Sequence, residues 1–383
     1  MERSLVEVIS DSLLQNNFES VFNVPGFGGT EVVNDLITKK HPKTFINLNE
    51  ESAFSVGYGV SFCGKRSALL IKSQGFFKAL NAITSSMSTE LISANLIFVF
   101  DDTEGKSSDN ILPTRKVVES CELPFVVLGE NPSKDIADGI KLSETMKLPV
   151  AIYVDCTKLN YKYNLKIIKN LQKKRSIKSH FTNRVACPIL TQYQRNHLIN
   201  RLSKIRKVGL APKIKDIKSV LPERLVSEFV KYEVFMNVFK KHKPTFVSGD
   251  AGTSALFAFD PFNCIDSCTY MGGGPGMAVG AKIAGINDVV CITGDFSFLS
   301  AGILGFNEAF NCSIPIKIII FSNGRAHATG GQKINPVLMN NFKIGFKKYI
   351  QTINLKKIEK KGLDKKIRTF LNEDKTSVLV LEV

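Results

Sequence analysis

The stretch Val289-Val290-Cys291-Ile292-Thr293-Gly294-Asp295-Phe296 joins an apolar run to an acidic residue. Such a continuous run, rich in β-branched residues, predicts a strand that is buried on both faces of a parallel sheet. A second apolar run, residues 316–321, ends just before Asn323, which follows Asp295 by 28 positions. Because open α/β sheets bind ligands at the carboxyl ends of their strands, we expect Asp295 and Asn323 to lie together there. Their side-chain oxygens are suited to a Mg²⁺ ion that also binds phosphate.

A carboxylate near the amino terminus begins a helix rich in small residues. Residues 44–49 read as a strand, and Glu50 follows it, with Ala53, Gly57 and Gly59 further along the helix. Taken alone, the simpler interpretation is an acidic first helical turn, which the helix dipole favours. A catalytic role for Glu50 is the alternative interpretation.

Composition indicates a globular protein of several domains. The chain has 383 residues, a length that suggests about two or three domains. Its hydrophobic content of 44% is sufficient for their buried cores. No apolar stretch approaches the ~20 residues of a membrane span, and the first residues lack a secretory hydrophobic region. The eight cysteines are scattered, without a Cys-x-x-Cys pair. We therefore expect reduced thiols in a cytoplasmic protein.

The net charge is concentrated in one segment. Residues 156–220 contain 17 Lys or Arg residues and a single acidic residue, so the rest of the chain is neutral overall. Such a block can bind nucleic acid. It lacks the interleaved aromatic residues of single-strand binders, and a solvated linker is the favoured interpretation. Docking of an acidic protein partner remains open.

Strand and helix patterns alternate on both sides of this basic segment. The repeated β-α units predict the α/β class, with two doubly wound parallel-sheet domains. We place the first domain at 1–155, a basic linker with surface helices at 156–235, and the second domain at 236–383. The two linker helices are expected at residues 191–206 and 225–240.

These motifs resemble those of the thiamine diphosphate (ThDP)-dependent enzyme superfamily in its two-domain form. Gly294-Asp295 followed by Asn323 is similar to the metal signature, and Glu50, with Gly59 nine positions on, is similar to the acid that faces the aminopyrimidine ring. That spacing favours Glu50 over Glu51. The resemblance implies an N-terminal pyrimidine-binding domain, a C-terminal diphosphate-binding domain, and ThDP and Mg²⁺ as cofactors.

Two branches of the superfamily compete. Residues 73–85 and 323–332 are similar to phosphonopyruvate and sulfopyruvate decarboxylases, which are also short two-domain enzymes. Residues 99–102 and 271–280 are similar to the large subunit of indolepyruvate:ferredoxin oxidoreductases, but the chain lacks their iron–sulfur cysteines. The resemblance thus implies non-oxidative decarboxylation of a 2-oxo acid, with a lyase or an acyloin-forming (carboligation) outcome. The alternative is a 2-oxo acid ferredoxin oxidoreductase component that works with a separate electron-transfer subunit.

The resemblance also assigns roles to individual residues. It implies Mg²⁺ ligands at the side chains of Asp295 and Asn323 and the carbonyl of Arg325. It implies diphosphate contacts at the loop and amides of Gly272, Gly273, Gly274, Phe296 and Ser297. For the loop at 272–274, a tight turn with close helix packing is the alternative interpretation. The residues expected to line the pyrimidine and substrate side are Pro25, Gly26, Gly75 and Asn81.

Substrate recognition is less determined. Gln74 and His327 are the expected polar contacts, with His327 as a proton donor after carbon dioxide leaves or, alternatively, as an ordinary loop histidine. Phe76-Phe77 would suit an arylpyruvate, whereas a phosphono or sulfo substrate requires a cationic pocket. Pro275 stands where relatives carry a bulky aliphatic residue that supports the cofactor, a role open to Met271 or Met277.

The resemblance also implies that two or more copies of the chain associate. In this superfamily the site forms between two chains, so Glu50 of one chain would meet the cofactor held by Asp295 of another. We expect a homodimer as the minimum, with a homotetramer as the alternative.

Overall fold

Two six-stranded parallel sheets form the cores of the protein. The computed structural model describes residues 2–170, 180–203 and 210–383. They divide into a first unit, residues 2–170 with 198–203, and a second unit, residues 180–197 with 210–383. Each unit contains one of the sheets with helices around it, so the predicted α/β class with two parallel-sheet domains is confirmed.

The first unit has the sheet order β3-β2-β4-β5-β7-β6, with every neighbouring pair parallel. A separate two-residue antiparallel ladder joins β1 to β8. The strands are β1 Arg3–Ser4, β2 Phe18–Asn23, β3 Thr44–Ile46, β4 Arg66–Lys72, β5 Asn95–Asp101, β6 Phe125–Val127, β7 Val150–Asp155 and β8 Lys162–Tyr163. The helices are α1 Leu5–Gln15, α2 Gly29–Thr38, α3 Glu50–Phe62, α4 Ser73–Ser86, α5 Thr114–Ser120 and α6 Pro132–Met146.

The second unit has the sheet order β10-β9-β11-β12-β16-β15, again parallel throughout. Its strands are β9 Phe246–Gly249, β10 Ser267–Cys268, β11 Val289–Gly294, β12 Lys317–Ser322, β13 Arg325–Ala326, β14 Gln332–Lys333, β15 Ile350–Asn354 and β16 Ser377–Glu382. Helix α7 Thr191–Leu202 is divided between the units. The remaining helices are α8 Glu223–Phe239, α9 Gly274–Ile283, α10 Asp295–Ser297, α11 Ile303–Asn311, α12 Pro336–Gly345 and α13 Lys360–Leu371.

Helix α8, which was predicted as a surface helix of the linker, packs into the core of the second unit. The lysine-rich composition of its neighbourhood suggests a surface helix, but six residues of α8 belong to the buried core of the second unit. Besides Val238, five of them recur at helical spacing and form an apolar stripe: Phe229, Tyr232, Phe235, Met236 and Phe239. Tyr232 stacks on Phe321 of β12 with ring centroids 4.1 Å apart. The predicted boundary at 235/236 therefore falls inside a core helix.

The start of the predicted linker also packs onto a sheet unit. Asn170 donates a hydrogen bond to the Ala137 carbonyl, and the fully buried Arg66 donates to the Asn170 carbonyl at 2.8 Å. Residues 156–170 thus belong to the first unit. The predicted helix at 191–206 is present as α7, and its last three residues lie outside the described residues. No helix in the described ranges combines the length and apolar character that crossing a membrane requires.

Candidate active site

A pocket lies at the carboxyl edge of the second sheet, where β9, β11 and β12 end. Asp295, one residue after β11, and Asn323, one residue after β12, both line it, as the sequence predicts. We call it the Asp295 pocket, and its volume is about 110 Å³. Its other lining residues are Tyr232, Asp250, Ala251, Gly252, Thr253, Ser254, Met271, Gly294, Phe296, Ser297, Phe321, Arg325, Ala326, His327, Ala328 and Thr329.

Asp295 is held by main-chain donors. Its side chain is 3% exposed, with Oδ2 accepting from the Gly324 amide at 2.7 Å and Oδ1 accepting from the Phe296 amide at 2.8 Å. Burial raises the pKa of Asp295, and the amide hydrogen bonds oppose this shift. The Gly324 amide contact ties the end of β11 to the turn after β12. A buried carboxylate in this setting is suited to a compact cation.

Asn323 has a partner that the sequence analysis missed. Its Nδ2 donates to Oε1 of Glu228 at 2.6 Å, and its Oδ1 accepts from the Arg325 amide at 2.8 Å. Glu228 lies on α8 and is fully buried. The residue was missed because α8 resembles a linker helix in composition. The available signal was a lone acidic residue within the apolar stripe of that helix.

His327 lines the Asp295 pocket, but its ring nitrogens face α8. Nε2 lies 3.0 Å from the Arg224 carbonyl, and Nδ1 lies 3.7 Å from Oε2 of Glu228. Because a carbonyl only accepts, Nε2 carries the hydrogen of that bond. Nδ1 is buried without a hydrogen-bond partner. The structure therefore shows a loop histidine held by α8, and its predicted role as a proton donor stays a prediction.

Arg325 also lines the pocket, and its guanidinium is directed away along its own loop. The guanidinium donates to the Gly331 carbonyl at 3.2 Å, and its side chain is exposed. Its predicted contribution through the main-chain carbonyl stays a prediction. Met271 lines the pocket as well, whereas Met277 is fully buried beside Ser267 and Thr269. Of the two methionines considered as cofactor supports, only Met271 is positioned for it.

The glycine loop, whose amides were predicted to contact the diphosphate, uses two of those amides within the protein. The Gly274 amide donates to Oδ1 of Asp250 at 2.7 Å, and the Gly273 amide donates to the Tyr270 carbonyl at 3.2 Å. Gly272 has a φ of +91°, and a methyl group there would come within 2.5 Å of Ala301. These contacts favour the alternative interpretation, a tight turn with close helix packing, and the diphosphate contacts of this loop stay a prediction. Gly272, Gly273 and Gly274 do not line the Asp295 pocket.

Asp250 fixes this loop from the end of β9. It is fully buried and accepts from the Gly274 amide, the Gly272 amide and the Thr293 hydroxyl of β11. Burial raises the pKa of Asp250 to about 6. The residues that follow it, 251–254, line the pocket in place of the glycine loop. The sequence offered one signal for them, an Asp directly after a short apolar strand.

The first unit gathers other predicted residues at the carboxyl edge of its sheet. Glu50 begins α3, and Asn49 caps this helix by accepting from the Glu51 and Ser52 amides. The Glu50 side chain reaches α4, where a methyl group on Gly75 would lie 2.7 Å from Glu50 Cγ. Oε2 of Glu50 lies 3.1 Å from Nζ of Lys78 on the same helix as Gly75. Glu50 and Gly75 are therefore brought together.

Gln74 lies beside Gly75 with one amide atom unpaired. Its Nε2 donates to the Asn110 carbonyl at 3.1 Å, while its Oε1 is buried without a hydrogen-bond partner. Gly26 lies against Lys72, since a methyl group on Gly26 would come within 2.6 Å of the Lys72 side chain. Pro25 and Asn81 are exposed. Phe76 is fully buried, so the expected aromatic contact is reduced to Phe77.

The second unit matches a known protein family. Residues 250–381 match the family described as thiamine pyrophosphate enzyme, C-terminal TPP binding domain. This range begins at Asp250 and includes both Asp295 and Asn323. This match supports a relationship of the second unit to ThDP-dependent enzymes.

Two similar proteins are informative. The chain is 28% identical over 155 residues to sulfopyruvate decarboxylase subunit alpha of Methanococcus maripaludis, covering 39% of this chain and 93% of that protein. Its fold is similar to the crystal structure of benzoylformate decarboxylase from Polynucleobacter necessarius, with a TM-score of 0.67 and 12% identity. That superposition covers 100% of this chain and 98% of the other. At this identity, the second likeness concerns the fold.

The residues present fit a Mg²⁺ ion and ThDP. The Asp295 pocket offers a buried carboxylate and an amide oxygen, which are hard oxygen donors. Among the described residues, no cluster of three or more His, Cys, Asp or Glu side chains could hold a metal. A site that is completed by main-chain and phosphate oxygens requires no such cluster. In the first unit, the buried, unpaired Oε1 of Gln74, the residue before Gly75, is an acceptor suited to a polar ring.

Proposed function

We propose that this chain is a Mg²⁺- and ThDP-dependent enzyme that decarboxylates a 2-oxo acid without an external electron acceptor. The observation that carries the proposal is the Asp295 pocket, where Asp295 and Asn323 meet at the ends of two neighbouring strands. The similarity to sulfopyruvate decarboxylase subunit alpha supports the reaction class, because that protein is a decarboxylase by name.

The second unit would hold the charged end of the cofactor. Asp295 and Asn323 would bind Mg²⁺ through their side chains, with the Arg325 carbonyl as a further ligand. Helical structure begins at Asp295 and continues through a π-turn at Phe298–Gly302 into α11. Its amino-terminal end opens on the pocket, where main-chain N–H groups favour an anion. Since the Phe296 amide already donates to Asp295, Ser297 is the better-placed contact.

The first unit would supply the acid. When bound, ThDP supplies the carbanion chemistry that a 2-oxo acid decarboxylation needs. Glu50 would hold a proton at its carboxyl group beside the aminopyrimidine ring, and Gly75 leaves the space for this approach. Nζ of Lys78 lies 3.1 Å from Oε2 of Glu50 and places a positive charge beside this carboxyl group. Gln74 would bind a polar group of the cofactor or substrate through its unpaired oxygen.

The substrate that we favour carries a second acidic group. Lys72 and Lys78 lie beside Gly26 and Glu50, and they supply the cations that such a substrate requires. An arylpyruvate is less favoured as a substrate, because Phe76 is buried in the core and is not available to contact an aromatic ring. A sulfopyruvate-like substrate would match the named relative.

We further propose assembly of two chains with shared sites, in the cytoplasm. The predicted catalytic acid and the predicted metal ligands belong to different units of the chain. All eight cysteines are free thiols, which suits a reducing compartment.

Product analysis tests the reaction. The holoenzyme is incubated with sulfopyruvate, phenylpyruvate, indolepyruvate and pyruvate, with and without a redox dye, and carbon dioxide and acyloin products are measured. We expect dye-independent carbon dioxide release, fastest with sulfopyruvate. Turnover that requires the dye would contradict the proposal and support an oxidoreductase component. Equal rates on anionic and aromatic acids would contradict the substrate assignment.

A further inference from the structure

Glu228 is a buried carboxylate that the proposed chemistry does not use. Its side chain is fully buried on α8, between the core of the second unit and the Asp295 pocket. Burying a carboxylate is costly unless it is paired and hydrogen-bonded. Lys231, one turn further along α8 and 44% exposed, provides that partner at 2.7 Å from Oε2.

The other oxygen of Glu228 determines how Asn323 is oriented. Oε1 accepts from Nδ2 of Asn323 at 2.6 Å. An amide side chain can be turned so that either its oxygen or its nitrogen faces a given neighbour, but a carboxylate only accepts. Glu228 therefore selects the orientation with the amino group towards α8. The Asn323 oxygen then points the other way, where it accepts from the Arg325 amide at 2.8 Å.

We propose that Glu228 is a positioning residue that keeps the Asn323 oxygen, and not its amino group, available to the Mg²⁺ ion. The inference rests on the proposed function. An amino group turned towards a cation would repel it, so the orientation of this amide decides whether Asn323 can act as a ligand. Partners that orient metal ligands typically change metal affinity by about 10- to 100-fold when they are replaced.

Substitution of Glu228 by Gln gives a directional test. In Glu228→Gln, the Lys231 ammonium attracts the oxygen of the introduced amide, so the amino group of that amide faces Asn323 and turns it over. We expect Mg²⁺ affinity, measured by calorimetric titration at saturating ThDP, to fall by about 10- to 100-fold. Removing the ammonium as well, in Glu228→Gln/Lys231→Met, lets the introduced oxygen face Asn323, and affinity should return to within about threefold of wild type.

Two further variants separate orientation from charge. Glu233→Gln removes a carboxylate from the same helix, one that pairs with Lys218 at 2.6 Å, and should leave Mg²⁺ affinity unchanged. Lys231→Met alone leaves Glu228 as an acceptor, so affinity should stay within about threefold. A rival explanation is that Mg²⁺ affinity depends only on the net charge near the ion. In that case Lys231→Met would raise Mg²⁺ affinity about as much as Glu228→Gln lowers it. That result would overturn the inference.

Thermal unfolding of each variant without cofactor shows whether it folds. A folded Glu228→Gln protein with wild-type Mg²⁺ affinity would overturn this inference and leave the proposed function intact. If Glu228→Gln does not fold, the double variant decides, because Mg²⁺ binding there weaker by 10-fold or more would overturn the inference. Absence of Mg²⁺ and ThDP binding by the wild-type protein would overturn the proposed function and, with it, this inference.

Discussion

Gly75 leaves the space that the side chain of Glu50 occupies. A methyl group on Gly75 would lie 2.7 Å from Glu50 Cγ and 2.9 Å from Oε1, closer than ordinary contact allows. The nearest atoms belong to the end of a flexible side chain, so the backbone of α4 need not move. The expected response to an added methyl group is therefore displacement of the Glu50 carboxyl group.

Gly75→Ala should separate activity from stability. Because only the Glu50 side chain has to shift, we expect turnover to fall at least about 10-fold, with thermal unfolding and ThDP binding near wild type. Gly345→Ala is the matched control, since a methyl group at Gly345 meets nothing within 4 Å. Wild-type turnover in Gly75→Ala would show that the position of Glu50 does not matter for catalysis.

Glu50→Gln should remove turnover and keep the cofactor. The amide has the shape of the carboxyl group and cannot relay the proton, so we expect about a 100- to 10,000-fold loss of turnover. ThDP affinity should change little, because the proposed metal ligands lie in the other unit. Steady-state kinetics and calorimetry on the same protein check both parts. Full activity would contradict the choice of Glu50 and direct attention to Glu51.

The sequence predicts the parts of the site that each strand determines locally. Asp295 and Asn323 each follow a continuous apolar run, and Glu50 follows a strand at the head of a helix. Their position at the edge of a sheet can therefore be predicted from the sequence. The sequence does not show which main-chain amides are already engaged within the protein. The Gly274 amide donates to Asp250, and this contact depends on β9 lying beside β11.

The contact of Glu228 with Asn323 could not be predicted from the sequence for a different reason. This contact spans 95 positions in the sequence and depends on how α8 packs against the sheet. The basic residues around α8 led to the prediction of a surface helix, although the helix itself carries an apolar stripe.

Asp250→Asn should change how stability depends on pH. The pKa of Asp250 is raised by burial to about 6, so the folded protein binds this proton more tightly than the unfolded chain does. Its contribution to stability is therefore complete below the ordinary Asp pKa and is lost as the pH rises through about 6. Asparagine does not titrate, so the variant should gain unfolding free energy relative to wild type between about pH 4 and pH 6, by up to roughly 3 kcal/mol.

Denaturant unfolding of the cofactor-free protein across this pH range measures the difference. Asp109→Asn, in an exposed loop, is the control and should show no pH-dependent difference from wild type. A difference between Asp250→Asn and wild type that is constant from pH 4 to pH 7 would contradict the account of Asp250 as a buried carboxyl group.

Mixing two inactive variants tests the shared sites. Glu50→Gln lacks the acid and Asp295→Ala lacks the metal ligand, so each alone should be inactive. If sites form between chains, a heterodimer has one site with both residues intact, and mixing should restore up to about one working site per heterodimer. The mixture is unfolded, refolded together and assayed. No recovery, with heterodimers demonstrated by mass, would indicate that each site is built within one chain.

Calorimetric titration of the wild-type protein with ThDP in the presence of Mg²⁺ tests the central claim most directly. We expect one cofactor bound per chain, loss of binding when a chelator removes the metal, and no binding to Asp295→Ala. Absence of binding by folded wild-type protein at millimolar ThDP and Mg²⁺, or binding that is indifferent to the metal and to Asp295, would contradict it.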